Sequence, residues 1–199
     1  WNNYNSIREY IRNFIMSKLE TNTIDTISGT SNLVIGSSNS STVTFESGAA
    51  TGHMYPAFEA LGSSEQTGVS DNTWTKLNFN NELFDTNSMY DTSAYRFTPT
   101  VAGKYNVYGQ VGIYSNTNYQ LQIPNLAIYK NGSNYKYSAN NEGNASYPNE
   151  RTLNITAVLE MNGSSDYVEL YARANVISGN VVFETVATIS NFGAYRIGA

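Results

Sequence analysis

The 199-residue chain carries 11 Lys and Arg against 16 Asp and Glu, a formal charge of −5, and charged residues make up only 14% of it. That balance leaves no basic footprint for phosphate backbones or anionic lipid, so no nucleic-acid partner is expected. Cys is absent, which removes disulfides and thiolate zinc sites, and no run reaches the ~18 apolar residues of a membrane-spanning helix, so no membrane insertion is expected.

Solubility rests instead on abundant Asn, Ser, Thr, Gly and Tyr, a profile common among extracellular and virion β-proteins. The length suffices for one main domain with a buried core. The start lacks the charged-then-apolar pattern of a signal peptide, and opening on Trp1 predicts a processed or partial product.

Residues 1–20, "WNNYNSIREYIRNFIMSKLE", place Tyr4, Ile7, Ile11 and Phe14 at steps of three, four and three. Such spacing predicts a short α-helix with a heptad-like seam. It either lies on its own domain or forms a parallel bundle with copies of itself, since two heptads alone are marginal in water.

Residues 21–53 change character. "NLVIG" and "STVTFES" read as very short strands separated by "SSNSS". Strands of that length cannot bury a core of their own, which leaves a Ser/Thr-rich linker or a thin β-rich stalk that buries its apolar residues between chains.

From about residue 54 the chain becomes a succession of period-two segments rich in β-branched and aromatic residues, among them "TWTKLNFN", "KYNVYGQVGIYS", "RTLNITAVLEM" and "DYVELYARANV". Turn chemistry such as "KNG" and "MNGSSD" separates them. Eight or more strands with no helical period restrict the choice to sandwich, jelly roll or barrel.

One spacing goes further. Phe79 is followed after five residues by Asp85, after four by Tyr90, after six by Phe97, after five by Gly103 and after one by Tyr105. Phe97, Tyr105 and Val107 stand at even separations, so they can share one face and fill a sandwich interior, while Pro99 suits a strand end and Ala102-Gly103 a turn.

The series resembles the aromatic signature of the complement 1q globular head domain, a jelly-roll family that shares its superfamily with tumour necrosis factor. "YPAFEA" at 55–60, "WTKLNFNNELFDT" at 74–86, "LAIYKNGS" at 126–133 and "NFGAYRIG" at 191–198 are similar to further strands of that family. The match covers roughly residues 54–199. It departs at Val107 and Gly109, where the family usually has two more aromatics. The resemblance implies a ten-stranded all-β jelly-roll sandwich assembled as a homotrimer, with Phe79, Asp85, Tyr90, Phe97, Gly103 and Tyr105 as core and turn residues.

Catalytic chemistry finds little to work with. The only His is His53, in "ATGHMYP", without evident triad partners. Glu82 with Asp85, Asp85 with Asp91, and Glu160 with Asp166 are the carboxylate pairs open to glycoside hydrolysis, though loop carboxylates commonly have such spacings. No nucleophile elbow or phosphate loop occurs, so no enzyme activity and no cofactor are expected. Some relatives in the family hold calcium near the trimer axis, which makes Asp85, Asp91 and Asp166 candidate oxygen ligands, without a repeated Asp-x-Asp loop.

Sequons stand at Asn39, Asn131, Asn144, Asn154 and Asn162. Tyr114, Tyr119, Tyr135, Tyr137 and Tyr147, interleaved with Asn and Ser, are candidate ligand-contact loop residues; the alternative is trimer packing or surface decoration.

The combined expectation is a non-enzymatic, homotrimeric virion protein, a bacteriophage tail or capsid fibre, on the outward surface of the particle. Its N-terminal segment would join other virion proteins and its head would bind a host-surface glycan or protein. Three features carry it: the head resemblance, the lack of collagen Gly-x-y repeats, and the Ser/Thr/Asn-rich segment behind a helix. The rivals are a secreted complement- or cytokine-like recognition protein and a purely structural decoration trimer.

Overall fold

Alternating residues decide this architecture. In "KYNVYGQVGI" every second side chain is apolar, so a strand there buries Tyr105, Val107, Val111 and Ile113 on one face and turns Asn106, Tyr108 and Gln110 to the other. The computed structural model describes residues 56–141 and 147–198. The helix seam of Tyr4, Ile7, Ile11 and Phe14, the stalk over 21–53, His53, and the sequons at Asn39 and Asn144 lie outside these residues.

The described chain is all β. Thirteen strands run in order: β1 Ala57–Ser63, β2 Gln66–Val69, β3 Thr75–Lys76, β4 Asn81–Asp85, β5 Tyr90–Asp91, β6 Arg96–Phe97, β7 Gly103–Ser115, β8 Asn125–Lys130, β9 Ser133–Ala139, β10 Glu150–Met161, β11 Val168–Arg173, β12 Val181–Glu184 and β13 Val186–Gly198. Ten have four or more residues, while β3, β5 and β6 have two each.

They form two antiparallel sheets with a jelly-roll fold. The first, sheet A, has the order β2-β12-β7-β13-β1-β4, with β10 along the other side of β7. The second, sheet B, has the order β5-β6-β11-β8-β9, with β3 also on β11. Strand β7 is long enough that β13 pairs with its first half and β12 with its last four residues.

The core lies between the sheets. Phe58 stacks on Tyr90 and Phe97 at ring-centroid distances of 4.6 and 4.5 Å and meets Phe192 edge-on at 5.1 Å. Phe97 meets Tyr105 edge-on at 5.6 Å. Such pairs add about 1 kcal/mol each to the burial of their apolar area.

The signature residues all have structural places here. Phe79, Phe97 and Tyr105 are fully buried. The Tyr90 hydroxyl donates to the Phe79 carbonyl at 2.7 Å and the Tyr105 hydroxyl to the Val101 carbonyl at 2.8 Å. Asp85 ends β4, and its carboxylate accepts backbone N–H bonds from Asn87, Met89 and Tyr90.

Gly103 begins β7 at φ 142°, where a Cβ would stand 2.3 Å from the Gly198 carbonyl oxygen. The departure at Gly109 has a physical answer: a Cβ there would lie 2.4 Å from Leu170 Cδ2. A leucine of the opposite sheet thus fills the volume that an aromatic at 109 would occupy.

Candidate functional site

Each sheet also has an outward face, and the two are built differently. On sheet A, register places Phe84, Glu59, Gly193, Tyr108 and Thr156 in one row across five strands. A Cβ at Gly193 would stand 2.4 Å from the Tyr108 ring, so the glycine is what lets that ring lie across β13.

From there the Tyr108 hydroxyl donates to Glu59 Oε2 at 3.2 Å, while Asn191 Nδ2 donates to Oε1 at 3.1 Å. Burial first, then the Glu59 carboxylate, push the Tyr108 hydroxyl up to about 12. Around this neutral-donor network Phe84, Val158 and Tyr195 are each about half exposed, an apolar surface left to solvent by the single chain.

Toward the other end of the same face the register brings Glu184 beside Gly112 and Tyr114 beside both Glu150 and Val182. Glu184 Oε2 is buried without a hydrogen-bond partner. Desolvation, then the neighbouring Glu150 and Glu65, push the Glu184 carboxyl up to about 7.

On sheet B the row is Lys76, Tyr171, Ala127 and Tyr137, across β3, β11, β8 and β9. Tyr129 stacks on Tyr171 at 4.1 Å, and Trp74 meets Tyr129 at 6.0 Å and Tyr137 at 6.4 Å, both edge-on. Ala127 is wholly covered in the middle of the row, and Tyr137 leaves 61% of its surface free.

Beside these rings sits Glu169, on the outward phase of β11 yet only 2% exposed. Its Oε1 accepts from Lys76 Nζ at 2.9 Å and from Arg96 Nε at 2.9 Å and Nη2 at 2.8 Å. The Tyr171 hydroxyl reaches Oε2 at 3.4 Å. Arg96 also lies over the Tyr167 ring at 3.8 Å and Arg173 over Trp74 at 4.9 Å.

The tyrosines expected in loops need correction. Tyr114 is on β7, and Tyr135 and Tyr137 are on the edge strand β9. The alternation of "SNYKYSA" is that of a strand, and a strand edge exposes such rings as fully as a loop does. Tyr119 is a loop residue, 66% exposed at φ 57°. Tyr147 follows β9 and accepts a hydrogen bond from Gln122 Nε2. Of the five, Tyr137 joins the aromatic row on sheet B.

Of the carboxylates read as candidate acids or calcium ligands, Asp85, Asp91 and Asp166 form turns, while Glu82 lies on β4 and Glu160 on β10. Asp91 accepts from Ser93 and Ala94, and these bonds hold its carboxyl low. Asp166, in a cleft of about 490 Å³ that also holds Glu160, Lys130 and Gly103, is held low by bonds from Asn131 and Lys130. A general acid for glycoside hydrolysis requires the opposite shift.

Among the described residues no group of three or more His, Asp or Glu side chains gathers to hold a metal, so the calcium expectation has no support there. No helix among them is long and apolar enough to cross a membrane. Asn131 and Asn162 have their amides hydrogen-bonded within turns, while Asn154 is exposed on β10.

Reading the residues singly missed Trp74, Tyr129, Tyr171 and Arg173. For Tyr171 and Arg173 the signal was the polar phase of "DYVELYARANV": Val168, Leu170 and Ala172 point inward, so Glu169, Tyr171 and Arg173 share the outer face.

Two sheets with these pairings define a jelly roll of the tumour-necrosis-factor type. Murine APRIL is similar, with a TM-score of 0.51 at 10% identity over 72% of this chain and 99% of that one. The Eiger TNF of S. frugiperda gives 0.53 at 10% identity over 73% and 94%. Likeness at that identity concerns the fold. No protein-family model and no curated protein matches the chain.

Proposed function

We propose that the chain is a non-enzymatic homotrimeric recognition protein, the head-bearing subunit of a virion fibre, which assembles through the outer face of sheet A and uses no cofactor. The observation that carries it is that face: Phe84, Val158 and Tyr195 stand exposed around a satisfied polar network. Burying apolar surface of this kind is the main driving force for association. The virion context draws on the Ser/Thr/Asn-rich segment without Gly-x-y repeats behind a helical seam. An outward head on such a fibre is placed to meet a host surface.

Light scattering of the full chain is expected to give three times the 21.9 kDa of one chain; a monomer at micromolar concentration overturns the assembly. Deleting residues 54–199 is expected to abolish adsorption of particles to host cells. Unchanged adsorption with lost particle stability would leave a decoration trimer.

A second reading, a secreted cytokine-like ligand, draws on the likeness to APRIL and Eiger TNF. Occupied glycans at the exposed Asn154 in a secreted product would favour it over the virion.

A further inference from the structure

We infer that the outer face of sheet B binds an acidic carbohydrate, a sugar carrying a carboxylate or phosphate, with the pyranose on the Trp74, Tyr129 and Tyr137 rings and the anionic group on Arg173. The inference deepens the recognition role proposed above and rests on it. It uses a face separate from the one assigned to assembly, so filling one leaves the other available.

The aromatic part comes first. Trp74, just before β3, meets Tyr129 on β8 at 6.0 Å and Tyr137 on β9 at 6.4 Å, and Tyr129 stacks on Tyr171 on β11 at 4.1 Å. Four rings gathered on the solvent side of a sheet cannot serve the core, which lies on the opposite side. An amphipathic ring offers a flat apolar face and a polar edge, matching a sugar, whose C–H face is apolar and whose rim is hydroxylated. A wholly apolar partner would leave the Tyr hydroxyls and the charged groups among the rings unpaired and desolvated, at a cost in affinity.

Charge then selects the kind of sugar. Of the three cations on this face, Lys76 and Arg96 are both committed to Glu169. Arg173 has no ion pair among the described residues; its guanidinium rests on the Trp74 ring and its Nε is buried without a hydrogen-bond partner.

A guanidinium placed over an indole face, with its Nε buried, is restrained in position, and its remaining N–H groups form the planar fork that matches a carboxylate or phosphate. Glu169 is neutralised by its two partners, so it does not repel an incoming anion. A nucleic acid would also use stacking and Arg, but it needs several cations along its backbone. One uncommitted cation on a chain of charge −5 suits one anionic group.

The test uses the full-length protein with Trp1→Phe, which leaves Trp74 as the sole tryptophan of the two in the chain. Its emission is titrated with tetragalacturonate, pentamannosyl phosphate, neutral maltotetraose and an oligothymidylate. The expected result is a saturable change with at least one of the two acidic oligosaccharides, about tenfold tighter than with maltotetraose. Whichever acidic probe binds tells carboxylate from phosphate.

Arg173→Gln is expected to remove that preference, and Tyr137→Ala to weaken all sugar binding about tenfold. Both variants should keep the oligomeric mass of the parent. Three results overturn the inference: no saturable change with either acidic sugar up to about 10 mM, affinities unchanged in both variants, or tighter binding of the oligothymidylate. If these appear while deletion of the head still abolishes host adsorption, the carbohydrate site alone fails and the recognition role stands.

Discussion

The outer faces of the two sheets each hold a carboxylate under a tyrosine, and they hold it by different means. On sheet A, Glu59 is met by a phenol and an amide, Tyr108 and Asn191. On sheet B, Glu169 is met by two cations, Lys76 and Arg96. Neutral donors leave the Glu59 charge in place and a face that stays flat, with room made by Gly193. Cationic donors cancel the Glu169 charge, so the rings beside it form a platform with one uncommitted guanidinium. The difference is what the proposed division of labour rests on: a flush face with satisfied neutral donors for a second copy of the chain, and a ring cluster with one unpaired guanidinium for a ligand.

The sharpest way to break that division is to place charge on one face at a time. Tyr195→Asp combined with Val158→Asp puts carboxylates at the centre of the proposed assembly face, where burial without a partner is prohibitive. The expected outcome by light scattering is full conversion from the trimer mass to 21.9 kDa. Tyr137→Ala on the other face should leave the mass unchanged. If both variants dissociate, or neither does, the two faces do not differ in the way argued.

Next in size is the cost of removing each carboxylate. Glu169→Ala leaves Lys76 and Arg96 facing each other with nothing between them, and breaking a buried ion group of this kind costs about 3 kcal/mol. Glu59→Gln keeps the size of the side chain and can still accept one bond from Tyr108 or Asn191, so its cost is about 1 kcal/mol. Urea unfolding of the two variants checks the ratio. Equal losses would mean that both carboxylates lie in the same kind of environment.

How much of this was legible in the sequence depends on whether neighbours along the chain or across the sheets decide it. The interior was legible because Phe97, Tyr105 and Val107 obey a period of two, and the fixed gaps from Phe79 onward tie strands together through one turn after another. The aromatic row on sheet B was not, since Tyr129, Tyr137 and Tyr171 stand on three strands with Trp74 just ahead of β3, and only the order β3-β11-β8-β9 brings them side by side. Gly109 shows the same limit from inside: along the chain it is a missing aromatic, and only the facing Leu170 reveals that the space is filled. Tyr135 and Tyr137 were visible as an amphipathic pair, but an edge strand and a loop display tyrosines equally well to a reader of the sequence.

The smallest expected effect sharpens the contrast by pH. Glu184 lies on the sheet A face against Gly112, with Glu150, Glu65 and Tyr114 around it. Its carboxyl is pushed from an ordinary 4.5 up to about 7, first by burial and then by the neighbouring carboxylates. Between those two values the folded chain keeps a proton that the unfolded chain has released, so stability is full below about 4.5, falls as pH rises to about 7, and is level above. Glu184→Gln carries no proton to lose, so it should match the parent at the acidic end and exceed it at the alkaline end, flattening the slope in a series of urea midpoints. A slope that persists in Glu184→Gln would place its origin elsewhere and remove the acidic end of sheet A from the comparison.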